Sequence, residues 1–182
     1  MTDSYELDPV DWVTAGAVGE PGHRTFYVQA RQGHDLLALV VEKAQVQWLA
    51  QLAQELLARF GVTVTPDDLD ADAQQLSEPV VPAWRAGSLS LGTDEEGGRF
   101  LLEAEELVPA ENDADETEAE AEPEPAIARL WMTREQLIAI AAYAAFIVEA
   151  GARESCRLCG RPIDPVSGHV CPARNGHGPL TA

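Results

Sequence analysis

Phe26-Tyr-Val-Gln-Ala30 and Phe100-Leu-Leu-Glu-Ala104 share one pattern, Phe-x-x-x-Ala, and the residues around them repeat as well. Before the first, Trp12 to Val18 reads as a strand, and Gly19-Glu-Pro-Gly22 reads as a turn. After it, Gly33 reverses the chain, Leu36 to Val41 reads as a third strand, and Lys43 to Phe60 has helical spacing. Around the second, Trp84 to Leu91 is strand-like and Gly92 to Gly98 carries turn chemistry. Ile127 to Met132 then reads as a strand and Arg134 to Ala150 as a helix. Gly61 and Gly151 each fall where a helix ends in a left-handed residue, a position glycine takes without steric cost. The pattern predicts βββα twice, in copies of about 9–61 and 82–151 within one body spanning 9–151. Strands grouped ahead of a helix lack the alternation that parallel crossovers require. The expected class is α+β: duplicated βββα units forming an antiparallel sheet with two main helices.

The helices carry their own signals. In the first, Leu49, Leu52, Ala53, Leu56, Leu57 and Phe60 recur at three- and four-residue spacing and make one apolar stripe. The second begins with Thr133-x-x-Gln136, a reciprocal capping pattern. Its body is apolar almost all round, which predicts deeper burial. Between the copies, Pro66-Asp-Asp-Leu-Asp has the composition of a short helical start. The four tryptophans fall at strand or helix positions and are expected to anchor the core.

Charge narrows the function. The net charge of -19 opposes general affinity for nucleic acid or anionic membrane, since phosphate binding depends on Lys and Arg. Much of that charge lies at 109–125: eight acidic residues between Glu111 and Glu124 without a base, an expected disordered insertion in the last hairpin. No apolar run reaches the roughly 18 residues a membrane helix needs. The acidic N-terminus lacks a signal core, and three cysteines is an odd number, so a cytoplasmic location is expected.

All three cysteines lie in the tail, residues 152–182. Cys156-x-x-Cys159-Gly160 has the form of a zinc knuckle, where a glycine turn aims backbone amides at sulfur. The return strand supplies His169-x-Cys171. The expected ligands are therefore Cys156, Cys159, His169 and Cys171, with His177 as the alternative fourth ligand and zinc as the cofactor. The tail has too few large apolar groups for a core, and segments this small usually need metal or disulfides. A CxxC redox motif and a tail with free thiols are the competing readings. A zinc held by four protein ligands has no open position, so its role would be structural.

No catalytic constellation is visible: Ser-His-Asp, P-loop and dinucleotide patterns are absent, and no catalytic residue is assigned. His23, Arg24 and Arg31 around the first hairpin could form a small anion site, although exposed turn residues explain them as well. Glu42-Lys43 reads as a solvated pair.

The run Val-Gly-Glu-Pro-Gly-His-Arg-Thr-Phe-Tyr-Val-Gln-Ala at 18–30, the segment Val40-Val-Glu-Lys43 and the tail Cys-x-x-Cys-Gly-x-Pro…Gly-His-x-Cys-Pro-x-x-Asn-Gly together resemble an uncharacterised actinobacterial family. The resemblance covers almost the whole chain and implies no assigned activity. It implies genes near a phosphatidylinositol-kinase-like and a histidine-phosphatase-like protein. Tails of that family resemble Asn-Gly-Tyr where this chain has Asn175-Gly-His177, which favours His169 as the ligand. The leading expectation is a non-catalytic protein-interaction or adaptor module with a protein partner. An enzyme or enzyme component acting on a small anionic substrate comes second. Nucleic-acid binding through the slightly basic tail comes third.

Overall fold

A computed structural model describes residues 3–20, 22–94, 98–108, 124–150, 156–159, 169–171 and 179–180. The first half runs β2 (Trp12–Val18), β3 (Thr25–Gln32), β4 (Asp35–Val41) and α1 (Lys43–Arg59). The second runs β5 (Trp84–Thr93), β6 (Phe100–Glu106), β7 (Ile127–Met132) and α2 (Arg134–Ala150). A short β1 (Tyr5–Leu7) precedes them, and β8 (His169–Val170) and β9 (Pro179–Leu180) follow. The expected α+β class holds: two helices lie with one seven-stranded sheet in the order β1-β7-β6-β5-β4-β3-β2.

That sheet is mixed. Each half is an antiparallel meander, but β4 meets β5 in parallel, and β1 meets β7 in parallel. The β4–β5 contact follows from α1, which carries the chain back to the starting end of the sheet. Such a return makes the next strand parallel.

The strand order has a geometric consequence. β1 and β2 stand at opposite ends of it, yet only residues 8–11 join them. Seven flat strands would separate the outer two by about 29 Å. The link from Leu7 to Trp12 reaches at most about 18 Å. The sheet therefore curls until its ends meet. Consecutive amides of the link show the closure: Val10 N donates to Trp131 O of β7 (2.9 Å), and Asp11 N donates to Arg31 O of β3 (2.7 Å). Arg99 clasps the same link through Asp8, with Nη2 2.7 Å from Oδ1.

The core is one cluster drawn from the inner faces of both halves and from both helices. Alternation places Val13, Ala15, Val28 and Ala30 inward in the first half, and Leu102, Ala104, Ala128 and Leu130 inward in the second. Phe26 and Phe100 occupy matching inward places, paired with Ala17 and Thr93. α1 contributes Val46, Leu49, Ala53 and Leu57, and α2 contributes Leu137, Ile140, Ala141 and Ala144. The helices pack on each other, α2 also against β2 and α1 against β5. Each fully buried Leu or Phe here contributes about 1.5–3 kcal/mol by leaving water.

Helix ends follow the expected chemistry. Gln136 N donates to Thr133 Oγ1 (3.3 Å) while Thr133 N donates to Gln136 Oε1 (2.9 Å). Past α1, Gly61 has φ 73°, Gly61 N donates to Ala58 O and Val62 N donates to Leu57 O. These two hydrogen bonds close the last turn around a left-handed residue. Pro66–Asp68 forms one 3-10 turn. Gly151 and nearly all of the acidic stretch, residues 109–123, lie outside the described residues. The register of β6 with β7 places that stretch in their hairpin connection.

Two expectations give way. Of the four tryptophans, only Trp84 is in the core. Trp12 and Trp131 fall at outward positions of their strands, and Trp48 is 37% exposed on α1. Glu42 is more than a solvated pair: its N–H donates to Gln45 Oε1 (2.7 Å), and its carboxylate pairs with Arg85 on β5.

The segment between the halves is also built in. Residues 73–77 run over the outer face of β2 and β3. Thr14 and Gln29 are cross-strand partners, both fully buried. Thr14 Oγ1 donates to Gln74 O (2.6 Å), Gln29 Nε2 donates to Ser77 O (3.1 Å), and Ser77 N donates to Gln29 Oε1 (2.7 Å). Trp12 Nε1 adds a bond to Ala73 O (2.9 Å). Gly16 leaves the notch in which Leu76 sits, since a Cβ there would lie 2.4 Å from Leu76 Cγ.

Candidate metal centre

Beyond α2 the described tail reduces to a turn at residues 157–159, the two short strands, and Cys156 and Cys171 beside them. β8 and β9 pair antiparallel, His169 opposite Leu180 and Val170 opposite Pro179. Cys171 follows β8 directly.

The three thiols converge. Their Sγ atoms all lie within 4.8 Å of one another. Cys156 Sγ and Cys171 Sγ are 3.7 Å apart, far beyond the roughly 2.05 Å of a disulfide. None of the three is in a disulfide; Cys156 and Cys171 are buried, and Cys159 is half-buried. Leu158 between them is 61% exposed, so the turn is not held by an apolar contact at that residue.

The surroundings of Cys156 shift its thiol toward ionisation. The Leu158 amide, pointing back at Sγ, is the largest influence and lowers the thiol below its ordinary value. Burial opposes this, while the Cys159 amide and the neighbouring thiols of Cys171 and Cys159 reinforce it. Amides that converge on sulfur stabilise the charged form, which is the form that binds metal. Three such sulfurs at these distances can share one metal ion.

Of the expected fourth ligands, His169 contributes its backbone to β8, and His177 lies outside the described residues. The anion trio does not assemble. His23 and Arg24 precede β3, whereas Arg31 is near its far end. Seven residues of strand separate the two arginines, roughly 23 Å. Arg31 instead lies over the Trp12 ring, its Cζ 5.8 Å from the centroid. The residues flank one hairpin in sequence, but a strand carries them apart. The buried Thr14–Gln29 pair was not anticipated; its one signal was a polar residue at outward positions of two adjacent strands.

Fold and site together define a class: an α+β protein with a closed sheet and a carboxy-terminal centre of three convergent thiols. The family model described as "Protein of unknown function (DUF3090)" matches residues 5–171. The chain belongs to that family. The match runs from β1 to Cys171 and so takes in all three cysteines. No curated protein and no solved structure matches the chain.

Proposed function

We propose that the tail is a structural zinc module and that the chain works as a non-catalytic protein-interaction component in a reducing compartment, the cytoplasm. The observation that carries the metal reading is the 3.7 Å between Cys156 and Cys171 Sγ. Zinc–thiolate bonds of about 2.3 Å in a tetrahedron set sulfurs about 3.8 Å apart. The donor set fits as well: thiolates are soft ligands suited to zinc, and the Leu158 and Cys159 amides supply the supporting hydrogen bonds.

His169, two residues before Cys171 at the start of β8, completes the ligand set in this reading, and His177 is the alternative. Four protein ligands leave no open position, so the ion would hold the fold of the tail and polarise no substrate. No helix among the described residues is long and apolar enough to cross a membrane. Arg24, just before β3, and Arg31, near its far end, lend no support to the second reading, an enzyme acting on a small anionic substrate.

Elemental analysis of the purified full chain tests the proposal. One zinc per chain is expected, lost in Cys156→Ser and weakened in His169→Ala but not in His177→Ala. Protein free of stoichiometric metal after purification with zinc supplied would overturn it.

A further inference from the structure

The two halves present the same face to the outside and cover it differently. Strand register makes the comparison residue by residue. In the first half Gly16 pairs with Tyr27 and Thr14 with Gln29, and Gln29 pairs onward with Ala38. In the second, Gly92 pairs with Leu101 and Ser90 with Glu103, and Glu103 pairs onward with Arg129. Phe26 and Phe100 sit one place further along in each half, which fixes the equivalence.

Over the first face lies the extended segment 73–77. It is held by side-chain bonds to its backbone and by Leu76 in the Gly16 notch. Over the second, no described residue lies within 4 Å of where a side chain at Gly92 would begin. The chemistry that grips the strap is nonetheless present there. Gln29 offers one acceptor and one donor to the backbone N–H and C=O of a single residue, Ser77. Glu103 and Arg129, joined at 2.7 Å through Nε, offer a carboxylate acceptor and guanidinium donors at the equivalent place. Ser90 supplies the hydroxyl that Thr14 supplies in the first half. Leu101 and Trp131, both half-buried, border the notch, the Trp131 ring with Arg99 Cζ over it, 4.6 Å from the centroid.

We propose that the outer face of β5, β6 and β7 is a docking groove for an extended peptide segment of a partner protein. One apolar side chain seats over Gly92, and the backbone N–H and C=O of the next residue are held by Glu103 and Arg129. This deepens the interaction role proposed above by naming its surface and partner. Recognition runs mainly through the backbone of the peptide, as it does in the strap, with one side-chain pocket for specificity. The net charge of -19 favours a segment flanked by basic residues.

The probe is a fluorescein-labelled peptide, Lys-Lys-Ala-Gln-Gln-Leu-Ser-Lys-Lys, which copies the strap between lysines. It is titrated against the full chain by fluorescence anisotropy, with backbone amide shifts recorded on the same sample. Saturable binding is expected, with shifts at residues 90–92, 101–103 and 129–131. Gly92→Leu in the protein, or Leu→Ala in the peptide, should each weaken binding at least about tenfold. Arg129→Ala, which leaves the notch open, should weaken it as well and serves as a second variant. Absence of saturable binding overturns the proposal. So does binding indifferent to Gly92→Leu, or shifts confined to Thr14 and Gln29. Zinc content measured on the same protein keeps this outcome separate from the metal reading.

Discussion

Around Leu137 and Ile140 the body buries side chain against side chain until no water reaches them, whereas around Cys156 the tail buries two sulfurs and leaves Leu158 in solvent. Burial in the first region draws on many contacts, each replaceable by a similar neighbour at modest cost. In the second it would rest on one ion and a few ligand atoms, with no graded substitute. The body should therefore weaken by degrees and the tail should fail at once.

Metal removal breaks that contrast hardest. Chelation at neutral pH is expected to unfold the tail, since a structural zinc supplies on the order of 10 kcal/mol. Near-ultraviolet signals from Trp84 in the body should stay unchanged, and loss of the body with the metal would contradict the separation. Leu137→Ala comes next: a cavity at this buried site on α2 should cost about 2–5 kcal/mol in denaturant melts while zinc stoichiometry holds. Gly16→Leu against Gly92→Leu sharpens the contrast within the body. Leucine at 16 must displace Leu76 and should cost about 1–3 kcal/mol, but leucine at 92 meets open space and should be nearly neutral. Thr133→Ala removes the cap of α2 and should cost about 1 kcal/mol, read as a small drop in Tm.

The smallest effect is one of pH. The amide at the start of α2, then the Thr133 hydroxyl, hold the Glu135 carboxyl below the usual carboxylate range. A lowered folded value adds stability above the unfolded pKa that disappears as pH falls through the folded one. Glu135→Gln should lower stability slightly at neutral pH and leave the acid end, where that contribution is already lost, unchanged, so that the acid limb flattens.

Much of the body was legible because its signals are local. Alternation marked β2 to β7, Gly61 and the Thr133–Gln136 pair marked helix ends, and Pro66 marked the 3-10 turn. What escaped was long-range. Tyr5–Leu7 is too short for any periodicity to register, and its partner β7 lies more than a hundred residues away. The strap was equally hidden, because Gln74 and Leu76 look like linker until Thr14, Gln29 and Gly16 face them. At the site, the CxxC spacing and the third cysteine forecast the convergence of three sulfurs. For His23, Arg24 and Arg31 the sequence showed only nearness along the chain, and β3 sets Arg31 apart from the other two. Trp12 and Trp131 misled because large rings on a sheet can face outward, each here beneath an arginine.

The closing of the sheet by residues 5–18 sets an order of events during synthesis. β1 needs Ile127–Met132 as its neighbour, so during synthesis one of its flanks must wait for about 125 further residues. At roughly 5–20 residues per second that wait lasts about 6–25 s. Throughout it the nascent chain presents an unsatisfied strand flank, a natural handhold for chaperones.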